Sequence, residues 1–252
     1  MSLESRLDEL LPMLLNATQT ASRLSARQII SCIDLTLLDK NASHDALQEL
    51  KKQALSHQVA AVCVLIPQLT VCSSQKIKLA TVINFPEGED DLNLSLEQVV
   101  EAKTLGATEI DYVLPYKQYL SVNKRYAIHC CNTIIKACQK EALTSKVIIE
   151  TGAFPDMQSI YQVSRELIET GCNFLKTSTG KIPKGASIHA AFSILSAIRD
   201  AGTKTGIKLS GGVKTPTEAR QYALLAELMM GRKIKNDWFR IGASSLLDAL
   251  LI

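Results

Sequence analysis

The sequence predicts an α/β fold: a single (β/α)8 TIM barrel with an extra N-terminal helix, one domain over residues 1–252. Three observations predict it. A chain of 252 residues that is 46% hydrophobic and 21% charged can bury a large core. Eight short apolar runs rich in β-branched residues recur along it, each interval long enough for one crossover helix. No Pro/Gly/Ser-rich linker divides the series, which favours a closed parallel barrel over an open doubly wound sheet.

Residues 1–28 read as a helical extension, because Leu3, Leu7, Leu10, Leu11 and Leu14 recur at helical spacing. That face should cover the barrel or pack on a second copy of the chain, which leaves a homodimer open. Strands are expected at IISCID (29–34), AAVCVLI (60–66), KLATVINF (78–85) and TEIDYVL (108–114). The second half repeats the rhythm with KVIIETG (146–152), NFLKTS (173–178), GIKLSGG (206–212) and WFRIGA (238–243). With Asp34, Cys63, Asn84, Asp111, Glu150, Lys176, Lys208 and Ile241 as reference residues, the steps run from 21 residues (Cys63 to Asn84) to 39 (Asp111 to Glu150). Between strands, Ser95 with Gln98 resembles a capping box, and Thr215-Pro216-Thr217-Glu218 places a cap before a helix-starting proline.

Composition narrows the function. A net charge of +3 and an aromatic share of 5% do not suggest a nucleic-acid surface, and support at most a mild preference for anions. Acidic residues interrupt the apolar ones in MSLESRLDELLPMLLNATQT, so neither a signal peptide nor a membrane span is expected. Seven cysteines form no secreted-scaffold framework and fit a reducing cytoplasm. Cys130, Cys131 and Cys138 read as small hydrophobes, while Cys63, inside a strand, is either core filler or a residue facing a pocket. His44, His57, His129 and His189 show no metal-ligand spacing, so no metal is expected.

Chemistry in such a barrel collects at the carboxyl ends of the strands, so charges inside apolar strands demand an explanation. Asp34 closes the first predicted strand, Asp111 sits in the fourth, Lys176 in the sixth and Lys208 in the seventh. Strand alternation points all four toward the barrel axis. Satisfied ion pairs are the ordinary reading of any one of them, but a buried network kept only for stability seldom outperforms apolar packing. A lysine that attacks a carbonyl must lose its proton near neutral pH. A protonated Lys208 about 4 Å from Lys176 would repel it by roughly 4 kcal/mol at an effective dielectric near 20, or about three pK units. A phosphate site has candidates too: Gly211 and Gly212 follow the seventh strand, and Gly242, Ser244 and Ser245 follow the eighth, where barrels often hold phosphate.

FLKTSTGK (174–181), EIDYVLPY (109–116) and KLSGGVKT (208–215) resemble segments of deoxyribose-phosphate aldolases, as do IDLTLL (33–38), TVINFPEG (81–88), VIIETG (147–152) and RIGASSLL (240–247), in the family's order. The resemblance covers most of the chain. It implies a metal-independent class I aldolase that needs no cofactor and reversibly splits 2-deoxy-D-ribose 5-phosphate into acetaldehyde and D-glyceraldehyde 3-phosphate. It further implies that Lys176 forms the Schiff base, Lys208 perturbs it and assists proton transfer, Asp111 is the acid/base, and Asp34 and Lys181 belong to the surrounding polar relay. Gly211, Gly212, Gly242, Ser244 and Ser245 would bind the substrate phosphate. Two features depart from the family pattern: Leu209, where Ala or Pro commonly follows the lysine, and the ending LLDALLI, which lacks a tyrosine-terminated tail. Another Schiff-base phosphosugar aldolase, a transaldolase, or a silent phosphosugar-binding barrel remain the competing readings.

Overall fold

A computed structural model of the chain describes residues 2–20, 25–121 and 123–252. Among them, eight parallel strands pair in sequence order and close into a barrel as the first pairs with the last, register Asp34 to Gly242. The strands are β1 (Ile33–Leu37), β2 (Ala61–Val64), β3 (Lys78–Ile83), β4 (Glu109–Val113), β5 (Thr144–Ile148), β6 (Phe174–Lys176), β7 (Gly206–Ser210) and β8 (Phe239–Ala243). Before β1 stand α1 (Leu3–Thr20) and α2 (Ala26–Ile30). Between strands run α3 (His44–His57), α4 (Leu69–Cys72), α5 (Leu92–Thr104), α6 (Tyr116–Leu120), α7 (Lys124–Lys140), α8 (Met157–Glu169), α9 (Ile188–Ala201) and α10 (Pro216–Met230); α11 (Leu246–Leu251) follows β8.

Two expectations of the sequence need correction. The first strand begins at Ile33 rather than at residue 29, because Ser25 and Gln28 form a capping box that folds Ala26–Ile30 as a short helix. Asp34 is therefore the second residue of β1 and lies below the barrel mouth instead of closing the strand. The cap of α5 is Asp91, whose carboxylate accepts the Asn93 N–H at 2.8 Å, while Ser95 is buried inside that helix. The Thr215–Glu218 capping box on α10 is present as expected.

The N-terminal helix covers the barrel's own helices. Leu3, Leu7 and Leu14 are buried, and α1 lies across α10 while touching α8 and α9. Residues 1 and 21–24 of the predicted extension lie outside the described residues. This cover explains why Ala190 to Ile198 in α9 are buried without a break: one side faces the barrel and the other meets α1 and α8. Full burial of a leucine stabilises by about 2 kcal/mol, so the extension contributes to the core. Among the described residues no helix is long and apolar enough to cross a membrane. The cysteines are free and buried.

Candidate active site

Inside the barrel the strands do not present a purely apolar core. Alternation turns Asp34, Glu109, Asp111, Lys146, Lys176, Lys208 and Arg240 inward, where all seven are buried. Asp111 is the hub. Its Oδ2 accepts from both Lys176 Nζ and Lys208 Nζ, each at 2.7 Å, and its Oδ1 accepts from Lys146 Nζ at 2.7 Å. The two lysine nitrogens share one oxygen and so lie no further apart than twice that distance. Lys208 Nζ also meets Asp34 Oδ2 at 2.6 Å, and Asp34 Oδ1 accepts from the Arg240 guanidinium. The four charges expected to converge therefore do, Asp34 joining the others through Lys208.

Lys146, Glu109 and Arg240 complete the cluster and were not singled out from the sequence. Lys146 Nζ pairs with Glu109 Oε2 at 2.7 Å, and Arg240 Nη2 donates to Glu109 Oε1 at 3.0 Å. The alternation that selected Asp111 could have found them: Glu109 precedes it by two, and Arg240 precedes Gly242 by two. Among the described residues the buried part of this ion-paired cluster holds four basic groups and three carboxylates. It is electrically balanced when one base is neutral.

Of the four basic groups, Lys176 is the one whose proton affinity the environment lowers. Burial lowers its affinity for a proton, Asp111 opposes this, and Lys208 lowers it again, leaving the pKa below the ordinary lysine value. Burial, then, ranks ahead of the Lys208 repulsion expected from sequence. Lys208 moves the other way, since burial disfavours its charge but Asp111 and Asp34 together outweigh it. Lys146 is likewise held charged against its burial by Asp111 and Glu109. Asp111 keeps its charge against burial because Lys146, Lys176 and Lys208 surround it, and its pKa lies well below the usual carboxylate range. Cys63 also faces this interior, and burial pushes its thiol up despite the nearby lysines.

Above the cluster opens a cavity of about 380 Å³ at the carboxyl ends of β1, β6, β7 and β8. Lys176 reaches it, as do Lys181 and all five predicted phosphate-site residues: Gly211, Gly212, Gly242, Ser244 and Ser245. Lys208, Asp111 and Asp34 lie below the lining. Lys181 is exposed, its Nζ donating to the Leu38 carbonyl at 3.4 Å. Thr36, Thr179 and Lys214 also line the cavity and were missed. Their positions become legible only when the loops are placed in space.

The wall is held by its loops. Thr177 Oγ1 donates to the Ser210 carbonyl at 3.0 Å and accepts the Ser210 N–H at 2.9 Å, and the Ala186 N–H donates to the Gly211 carbonyl at 2.9 Å. Gly211 and Gly212 take φ of +82° and +101°, conformations that favour glycine. A methyl group on Gly185 would fall 1.9 Å from the Gly211 carbonyl oxygen. Gly185→Ala is thus expected to cost about 1–3 kcal/mol in urea unfolding, through overpacking, and to weaken phosphosugar binding because Gly211 must move.

Another signal missed from sequence is Glu150. Its backbone, just beyond β5, is left-handed at φ +61°, and its buried Oε2 accepts the Thr179 N–H at 3.2 Å as well as the Thr179 hydroxyl. The Thr179 hydroxyl oxygen in turn accepts the Lys181 N–H at 3.1 Å, so Glu150 orders the loop that carries Lys181. Burial holds the Glu150 pKa above the ordinary value.

A parallel eight-stranded barrel with a lysine on its pocket floor, at the carboxyl ends of the strands, has the layout of a barrel aldolase. The family model of the DeoC/LacD family aldolases matches residues 28–250, and the chain belongs to that family. Among solved structures, the aldolase QR15 is similar at 25% identity over 88% of this chain and 96% of its own, with a TM-score of 0.76. The tetrameric deoxyribose phosphate aldolase from Aeropyrum pernix is similar at 24% identity over 94% of this chain and 95% of its own, TM-score 0.79. A Schiff-base-forming fructose-1,6-bisphosphate aldolase shares the fold at 19% identity over 94% and 96%, TM-score 0.57.

Proposed function

We propose that this aldolase reversibly cleaves 2-deoxy-D-ribose 5-phosphate into acetaldehyde and D-glyceraldehyde 3-phosphate, with Lys176 as the Schiff-base nucleophile. The observation that carries the reading is the shared Asp111 oxygen, which joins Lys176, whose proton affinity is lowered, to Lys208, whose proton affinity is raised, at the floor of a glycine- and serine-walled cavity.

The open-chain sugar enters with its phosphate toward Gly211, Gly212, Gly242, Ser244 and Ser245. Exposed Lys181 and Lys214 on the same wall suit a dianion. Anchoring that end brings C1 to the pocket floor and removes much of the entropic cost of the encounter. Neutral Lys176 attacks C1, and the carbinolamine hydroxyl, taking a proton from Lys208 directly or through water, leaves as water as the iminium forms. The C2–C3 bonding electrons then flow into the iminium, which is the electron sink, so the reading calls for no metal or cofactor. Asp111 takes the C3 hydroxyl proton, through water or through the oxygen it shares with Lys208. Glyceraldehyde 3-phosphate leaves, the enamine is protonated at C2, and hydrolysis releases acetaldehyde and the free amine. Asp34 and Asp111 favour the charged form of Lys208, which repels a charge on Lys176, and so restore the proton that Lys208 gives up in each cycle.

Borohydride reduction in the presence of acetaldehyde, followed by peptide mass spectrometry, tests the nucleophile. Product analysis with 2-deoxy-D-ribose 5-phosphate tests the substrate. An adduct on Lys176 with release of both expected products supports the reading. Phosphosugar binding without any adduct would instead identify a silent barrel, and different products another Schiff-base aldolase or a transaldolase.

A further inference from the structure

The charged cluster extends well below anything a substrate can touch. Arg240 and Glu109 are both fully buried, face each other on β8 and β4, and take no part in the cavity lining. They connect to Lys176 by two routes of direct contacts. One runs from Arg240 through Asp34 and Lys208 to the Asp111 oxygen that Lys176 shares. The other runs from Glu109 through Lys146 to Asp111. At the barrel floor Glu109 also meets Lys78 at 3.4 Å, but Lys78 is half exposed and its charge is screened by solvent.

Stability alone does not account for a guanidinium and a carboxylate at this depth, since well-packed apolar side chains commonly match or exceed a buried ion pair. What apolar side chains could not supply is fixed charge. Arginine does not deprotonate in proteins, and Glu109, paired with Lys146 and Arg240, stays ionised. We infer that Arg240 and Glu109 are positioning residues forming an electrostatic counterweight beneath the site: Arg240 makes Lys176 release its proton more readily, Glu109 makes it hold the proton more firmly, and their pairing fixes the balance. The inference deepens the Schiff-base reading of Lys176 and takes its meaning from it.

The groups that face Lys176 define what else acts on it. They are Asp111 on β4, Lys208 on β7, the neutral Cys63 thiol on β2 and Glu150 after β5; Lys146 on β5 and Asp34 on β1 lie one contact further down. Each remains in place when Arg240 or Glu109 is exchanged. The two exchanges should then move Lys176 in opposite directions.

Competitive trace labelling of the full chain with acetic anhydride across pH, read by peptide mass spectrometry, reports the ionisation of Lys176 without requiring turnover. Glu109→Gln is expected to lower the labelling midpoint of Lys176 by about one pH unit, and Arg240→Met to raise it by about as much, the scale of one charge acting across two or three contacts. Arg240→Lys, which keeps the charge, leaves the midpoint in place, and the Arg240→Met/Glu109→Gln double variant returns it to the wild-type position. If Arg240→Met does not fold, Glu109→Gln and the double variant carry the test. Unmoved midpoints in folded variants, or shifts of the same sign in both, would overturn the inference and leave the pair a purely structural one. A wild type that fails to cleave the sugar would sink the substrate reading while the midpoints still decide this one.

Discussion

Lys176→Leu is expected to abolish cleavage of 2-deoxy-D-ribose 5-phosphate, lowering kcat/KM by about four orders of magnitude or more, while the barrel stays folded. The loss is large because neither of the other buried lysines can take over the reaction. Lys146 and Lys208 are both held charged by carboxylates, and neither reaches the cavity. The fold survives because, without Lys176, three buried basic groups still face the cluster's three carboxylates. Lys208→Leu makes the contrast. It removes a required cation, leaving Asp34 and Asp111 under-compensated, and should cost about 3–5 kcal/mol. Urea unfolding of the two variants beside a product assay checks the pair. Turnover surviving Lys176→Leu, or a trapped adduct on another lysine, would overturn the assignment of the nucleophile.

That asymmetry between two lysines could not be read from the chain alone. Alternation within β4, β6 and β7 placed Asp111, Lys176 and Lys208 on the barrel axis, because a period of two needs only local sequence. The same rule applied to EIDYV, KVIIETG and RIGA would have added Glu109, Lys146 and Arg240. Asp34 was assigned to the end of a strand because IISC resembles strand sequence, whereas the Ser25–Gln28 capping box makes those residues a helix. The order of influences on Lys176 was beyond reach, since burial depends on how eight strands close around it. Glu150 lay hidden for a related reason: the Thr179 groups that its carboxylate holds lie far along the chain. Glycines and serines at the cavity wall were legible because their places after β7 and at the end of β8 follow from the barrel's polarity.

Asp111→Asn should separate the formation of the Schiff base from the breaking of the carbon-carbon bond. An amide at 111 keeps the shape but offers a single acceptor oxygen and turns N–H donors toward ammonium groups that a carboxylate had been receiving. Lys146 and Lys208 lose their shared anion, so stability should fall by about 3–5 kcal/mol in urea unfolding at neutral pH. The pH dependence fixes the sign. The folded-state pKa of Asp111 is depressed, so its contribution is fully present above the unfolded value of about 3.9 and is lost as pH falls through the lower folded value. The stability gap between wild type and variant should therefore close in strong acid. Activity is affected twice over. Without the carboxylate attraction Lys176 gives up its proton more easily, so acetaldehyde trapping on Lys176 should persist and extend to lower pH. Removal of the C3 hydroxyl proton loses its acceptor, and cleavage should drop by about two to four orders of magnitude. Trapping and cleavage falling together in a folded Asp111→Asn protein would mean that this carboxylate serves only to hold the lysine in place.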